Sequence, residues 1–191
     1  MPPGDPSQSV VVLVEGESDA VVVRHLLAAQ DALDAVAVLP MGGITNVDRW
    51  LARTAGRAGA GLYDAAERRF VTRALRRRGV RLEPGASLVE HGFFECDADL
   101  EDELIRALGP AQVVEALDAI GDGARFETFV HQPQWRDRPI GDQLHRFAGS
   151  GSGRKALLAE QLARRLTPAT TPAPLSGVVA HALALVGART A

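Results

Sequence analysis

The sequence predicts an α/β fold, with a mainly parallel four-stranded sheet flanked by helices and then a helical C-terminal extension. Val10-Val11-Val12-Leu13-Val14 is an unbroken apolar run with four valines, which suits a strand buried on both faces of a parallel sheet. Strand, turn and helix signals then alternate to about residue 109, the rhythm of βαβ units. Beyond Gly109-Pro110 strand signals vanish and helical periodicity remains.

The 191 residues are enough to bury a core. The expected organisation is a flexible lead over 1–8, an α/β unit over 9–109, and a helical extension over 110–191 packed on or beside it. Apolar residues make up 46% and aromatics only 5%, so that core is built from Val, Leu and Ala. A net charge of -3 argues against coating nucleic acid by charge alone, though it permits local basic patches. The single cysteine, Cys96, excludes an internal disulfide and a zinc site made chiefly of thiolates. No apolar run approaches membrane-spanning length, and Met1-Pro2-Pro3-Gly4-Asp5 lacks the basic and apolar regions of a signal peptide. The expected location is cytoplasmic.

The first strand stops at Glu15. Gly16 frees the turn, and a helix over roughly Glu17 to Ala29 carries Asp19 in its first turn, between Val23 and Leu26 on the helical wheel. A carboxylate on that apolar face is costly unless a cation meets it. A second strand, Ala35 to Leu39, ends at Pro40-Met41-Gly42-Gly43, and Asn46 is the expected cap of a helix reaching Arg53. The third strand, Gly59 to Tyr63, runs into Asp64, and a helix from there to Arg78 has Phe70, Val71, Ala74 and Leu75 as its buried stripe, with Glu67 amid them. Its six arginines read as a solvated face or, more sharply, as a patch facing nucleic acid.

A fourth strand is expected over Ser87 to Cys96, interrupted near His91-Gly92. Between Glu95 and Glu103 lie six carboxylates and no base. In the helix that follows, Leu100, Leu104, Ile105 and Leu108 mark the inner face; Glu101 shares that face, whereas Asp102 and Arg106 point away. Further helices are expected near 110–120, 124–132, 140–148, 153–166 and 175–187, the last preceded by a linker from Thr167 to Pro174.

Three strand ends thus deliver acids to one edge of the sheet: Glu15 with Asp19, Asp64 with Glu67, and Asp99 with Glu101. Hard oxygen ligands without histidine or thiolate select Mg²⁺ or Mn²⁺ over zinc. Helix capping alone accounts for Asp64 or Asp99. It accounts less well for Asp19, Glu67 and Glu101, which fall on apolar faces.

Glu15-Gly16-x-Ser18-Asp19 after a hydrophobic strand, Gly42-Gly43 after the second, Asp64 after the third and Asp99-Leu100-Glu101 opening a helix together resemble the Toprim domain. Within that Rossmann-like superfamily the order is most similar to the OLD (overcoming lysogenization defect) family of nucleases. The match runs from about Val10 to Leu108 and more faintly to Lys155.

The resemblance implies a Mg²⁺- or Mn²⁺-dependent endonuclease that nicks or cuts DNA, using two ions about 3.5–4 Å apart. It implies Glu15, Asp19, Asp64, Glu67, Asp99 and Glu101 as the metal-binding set, and Glu15, Asp64 and Lys155 as catalytic residues. Lys155 is the sole lysine among 21 basic residues, and by the resemblance it neutralises charge on the scissile phosphate; its plainer reading is a surface lysine near a helix start. Toprim domains commonly carry Asp-x-Asp after the third strand, whereas here Ala65-Ala66 follow Asp64 and Glu67 is the displaced substitute. Relatives of the OLD family also carry an ABC-type ATPase, implying a separately encoded ATPase partner.

Two other functions compete. A Toprim nucleotidyltransferase of the primase kind shares the acids but brings template-binding elements not evident here, and the sole tyrosine, Tyr63, sits inside a strand, unlike a topoisomerase nucleophile. A non-catalytic Toprim module binding nucleic acid or protein is the second. Gly149-Ser150-Gly151-Ser152-Gly153-Arg154-Lys155 breaks the P-loop pattern at Arg154 and Ala156 and follows no buried strand. His25, His91, His131, His145 and His181 lack ligand spacing and read as structural or exposed, and Trp50, Phe129 and Trp135 read as packing residues.

Overall fold

Four parallel strands, β1 (Val10–Val14), β2 (Val36–Pro40), β3 (Ala58–Asp64) and β4 (Phe93–Cys96), form one sheet in the order β2-β1-β3-β4. Helices α1 (Glu17–Ala28), α2 (Val47–Arg53) and α3 (Arg68–Arg77) alternate with them, and α4 (Leu100–Ala119), α5 (Gly123–Val130), α6 (Ile140–Ala148), α7 (Ser152–Ala163) and α8 (Ala173–Thr190) follow. This computed structural model describes residues 8–150 and 152–190. All of the expected lead except Gln8, and Gly151 of the glycine-rich run, lie outside the described residues.

The valine run does what a doubly covered strand must. Val10, Val12 and Val14 face a core that includes Val22, Leu27, Leu104, Leu162 and Val178 from the helices. Val11 and Leu13 face a second core with Ile44, Val47, Val71 and Leu75. No β1 residue is more than 2% exposed. Truncating Leu13→Ala at this centre is expected to cost roughly 2–5 kcal/mol.

Helix α8 returns to cover β3 and β4, so the helical extension supplies one cover of the sheet. Gly177 permits that approach: a Cβ there would meet the Phe94 ring at 2.6 Å. The two expected helices on either side of Gly109 abut within α4; Gly109 interrupts the helical backbone with a φ of +77° that suits glycine, and Pro110 opens the second segment. Among the described residues no helix is long and apolar enough to cross a membrane.

Three local expectations are corrected. The strand expected over 87–96 breaks near His91-Gly92 as expected, but the part before the break is no strand: the chain makes a short 3₁₀ turn at Val89–His91, and β4 starts only at Phe93. Leu88 is buried there, and its carbonyl accepts from the backbone N–H groups of His91 and Phe93, so the apolar signal belongs to a plug. Asn46 stands at the N-cap position of α2 as expected, but its side chain makes no capping bond; its amide donates back to the carbonyls of Met41 and Gly42. The helix expected from Asp64 opens as a 3₁₀ turn over Ala65–Glu67, and α3 begins at Arg68. The tighter winding rotates Glu67 away from the Val71 stripe and toward the sheet edge.

Candidate metal centre

With strand order β2-β1-β3-β4 the chain leaves β1 in one direction and returns across it to β3, making the gap between their carboxyl ends the switch point of the sheet. Glu15 follows β1 and Asp64 ends β3, so both stand at this gap. The Glu15 carbonyl accepts hydrogen bonds from the Gly42 and Gly43 N–H groups at 3.0 and 3.1 Å, tying the paired-glycine turn to the acid. Asp19 is 9% exposed and accepts the Gly16 N–H at 2.9 Å, so it braces the turn between strand and helix as well as facing the site. Asp99 caps α4 by accepting the Asp102 N–H at 2.8 Å.

Carboxylate oxygens of Glu15, Asp64 and Glu67 lie within 4.8 Å of one another. A cavity of about 290 Å³ is lined by Glu15, Asp19, Asp64, Asp99, Glu101 and Lys155. Lys155 Nζ stands 3.3 Å from Glu101 Oε1, and His145 Nε2 2.7 Å from Asp99 Oδ2. A second cavity of about 600 Å³ shares Asp99 and Glu101 and is walled by Trp135, Arg138, His145 and Arg146.

Crowding shifts the acids. Burial, then the charges of Asp19 and Glu15, push the Asp64 carboxyl up to about 8. Burial and the adjoining Glu67 push Glu15 up to about 7, against the opposing pull of Lys155. Burial raises Asp19 to about 6, although the Gly16 N–H favours its ionised form. Glu67 Oε2 is buried with no hydrogen-bond partner among the described residues. An orphaned oxygen within a group of three carboxylates, with no sulfur or nitrogen among them, is a donor set that suits Mg²⁺ or Mn²⁺. Cys96 is a poor competitor, since burial and the surrounding acids raise its thiol well above the usual range.

Neither protein-family models nor curated proteins give a match. Among solved structures, the C-terminal region of the Burkholderia pseudomallei OLD protein superposes with a TM-score of 0.69 at 20% identity, over 94% of this chain and 98% of that one. Two structures of the C-terminal region of the Xanthomonas campestris pv. campestris OLD protein superpose similarly. One has a TM-score of 0.71 at 23% identity over 96% of both chains, the other 0.69 at 19% over 98% and 100%. The chain has the fold of an OLD C-terminal region. The helices after residue 110 belong to that shared fold, because the superpositions span nearly the whole chain.

Within this Toprim-like fold all six acids and Lys155 reach one edge, but they divide. Glu15, Asp64 and Glu67 are at mutual ligand distance, whereas Asp19, Asp99 and Glu101 line the adjoining cavity. The pattern of the sequence misses His145, which reads there as structural or exposed but holds Asp99; 46 residues separate them and no local spacing betrays the pair. It also misses Glu103, which is buried, accepts the Asp97 N–H at 2.9 Å and pairs with Arg106. Its place three residues into α4, amid acids, conceals this bracing role. Trp135 packs on Phe129 as expected and also walls the larger cavity.

Proposed function

We propose that this chain is a nuclease domain of the OLD type, hydrolysing phosphodiester bonds of DNA with Mg²⁺ or Mn²⁺. The observation that carries the proposal is the meeting of six carboxylates and the one lysine at the switch point of the sheet, three of the acids at mutual ligand distance. Glu15, Asp64 and Glu67 would hold the first ion, and Asp19, Asp99 and Glu101 surround the space for a second. Such ions, when bound, activate water and neutralise phosphate charge.

The chain's own groups supply the remainder. Lys155 is oriented by Glu101 and places a cation beside the acids, where an incoming phosphate meets it. His145 fixes one oxygen of Asp99 while the Asp102 N–H fixes the other. Both oxygens are thus aimed before any ligand arrives, which lowers the cost of organising the site. An ABC-type ATPase is the partner this reading carries.

The test is cleavage of supercoiled and linear plasmid with Mg²⁺ and Mn²⁺, by wild type, Glu15→Ala and Glu101→Ala. Metal-dependent nicking by wild type, lost in both variants, is the expected outcome. A folded wild type that cleaves nothing and binds no divalent ion by calorimetry overturns the proposal.

A further inference from the structure

Helix α3 concentrates a charge the rest of the chain lacks. The protein carries a net -3, yet residues 68–78 hold six arginines and no acid. Three have acidic partners: Arg68 meets Glu95 at 2.8 Å, Arg77 meets Asp48 at 2.9 Å, and Arg78 also meets Asp48. Arg69, Arg73 and Arg76 are exposed and form no ion pair among the described residues; Arg76 donates only to the Leu82 carbonyl, and Arg69 lies over the Phe70 ring.

Those three recur at i, i+4 and i+7, which puts them on one helical face spanning about 10 Å along the axis. Like charges four residues apart repel and weaken a helix. A merely solvated face relieves this with interspersed acids, and α3 has none. The type of residue carries no weight here, because twenty of the 21 basic residues are arginine. Position does.

The groove along this face, about 740 Å³, is lined by Ala65, Ala66, Arg69, Thr72, Arg73 and Arg76. It therefore begins at the residue after Asp64. Ala65 and Ala66, which line its near end, follow Asp64 directly in the chain, and the next residue, Glu67, belongs to the acidic cluster, so the groove starts beside the metal centre.

We infer that the arginine face of α3 is the track that binds the phosphate backbone of duplex DNA flanking the cleaved bond. The inference rests on the nuclease reading for its choice of DNA as the ligand. Binding of this kind carries no sequence information and is strongly salt-dependent.

The experiment is binding of a fluorescently labelled DNA duplex, with Ca²⁺ replacing Mg²⁺, across a salt series. It compares wild type with the triple variant Arg69→Gln/Arg73→Gln/Arg76→Gln. Since the variant lacks three cations that would each neutralise a phosphate, the slope of log affinity against log salt should fall by about 2–3, and affinity near 0.1 M salt on the order of a hundredfold. A control variant, Arg136→Gln/Arg164→Gln/Arg189→Gln, removes the same formal charge from exposed positions outside the groove and should keep the wild-type slope. An unchanged slope in the first variant, an equal fall in the control, or no duplex binding by wild type overturns the track.

Mg²⁺ calorimetry and hydrolysis of the small diester bis(p-nitrophenyl) phosphate read the metal centre alone. Both should be the same in wild type and the α3 variant. Should wild type fail those two readouts yet show the slope change, the nuclease reading falls, and α3 stands as a duplex-binding face with no cleaved bond beside it.

Discussion

The two halves of the acidic centre are built in opposite ways. On the sheet side, Glu15, Asp64 and Glu67 crowd together with no ion pair among the described residues, and burial plus mutual repulsion push the first two to about 7 and about 8. On the α4 side each acid has its own base: His145 for Asp99 and Lys155 for Glu101, both delivered by helices beyond residue 110. This contrast marks where a cation from solution is wanted. A carboxylate already paired within the protein gains less from a metal than one in a cluster held together against its own charge.

The heaviest loss should come from the unmatched half. Asp64→Asn should cut metal-dependent cleavage by about 10³-fold or more, the scale of losing an ion that stabilises charge by several kcal/mol. Calorimetry should show Mg²⁺ affinity falling in parallel. The same substitution should raise the melting temperature of the metal-free protein above about pH 5, since it removes an acid whose ionisation the folded state opposes; a lowered melting temperature would show that Asp64 is there for stability.

Changing pH separates the two halves further. Asp64, Glu15 and Asp19 titrate at about 8, about 7 and about 6 when folded, against ordinary values of 3.8, 4.5 and 3.8. Between those limits the folded state holds more protons than the unfolded chain, so the stability these groups contribute is present at low pH and lost as pH rises through the folded values. With EDTA, the melting temperature should fall by several degrees between about pH 5 and about pH 8. Asp64→Asn should fall less, and Mg²⁺ at pH 8 should reverse the wild-type loss. A wild-type melting temperature that stays level would contradict the crowding.

How much of this is legible in the sequence follows from the range of each signal. The valine run, the Glu15-Gly16 turn and the apolar face of α4 are contiguous patterns, and they appear where periodicity puts them. The convergence of acids follows from topology, because parallel strands put their carboxyl ends on one edge. What stays hidden depends on partners far apart in the chain or on a change of winding. His145 reaches Asp99 across 46 residues, and Glu67 joins Glu15 only because a 3₁₀ turn precedes α3. The Leu88 plug reads as strand because an apolar residue in a buried turn carries the same signal as one in a sheet.

On the matched half the effects should be smaller and of another kind. Lys155→Ala should slow cleavage on the order of a hundredfold, the loss of one preorganised charge at the phosphate, while Mg²⁺ affinity stays within a few-fold. Lys155→Arg should recover part of the rate. Equal loss of metal binding would place Lys155 in the structure of the sheet-side cluster instead.

His145→Gln should have the smallest effect, about tenfold in cleavage, as for a group that orients a ligand without touching the reacting atoms. The imidazole and the Asp102 N–H hold opposite oxygens of Asp99, so losing one leaves the carboxylate capped but free to turn. If orientation is all that His145 supplies, its substitution should cost nothing further once Asp99→Asn has removed the carboxylate charge. A double-mutant cycle on the cleavage rate measures this, and fully additive losses would mean that His145 acts independently, through the larger cavity it also lines.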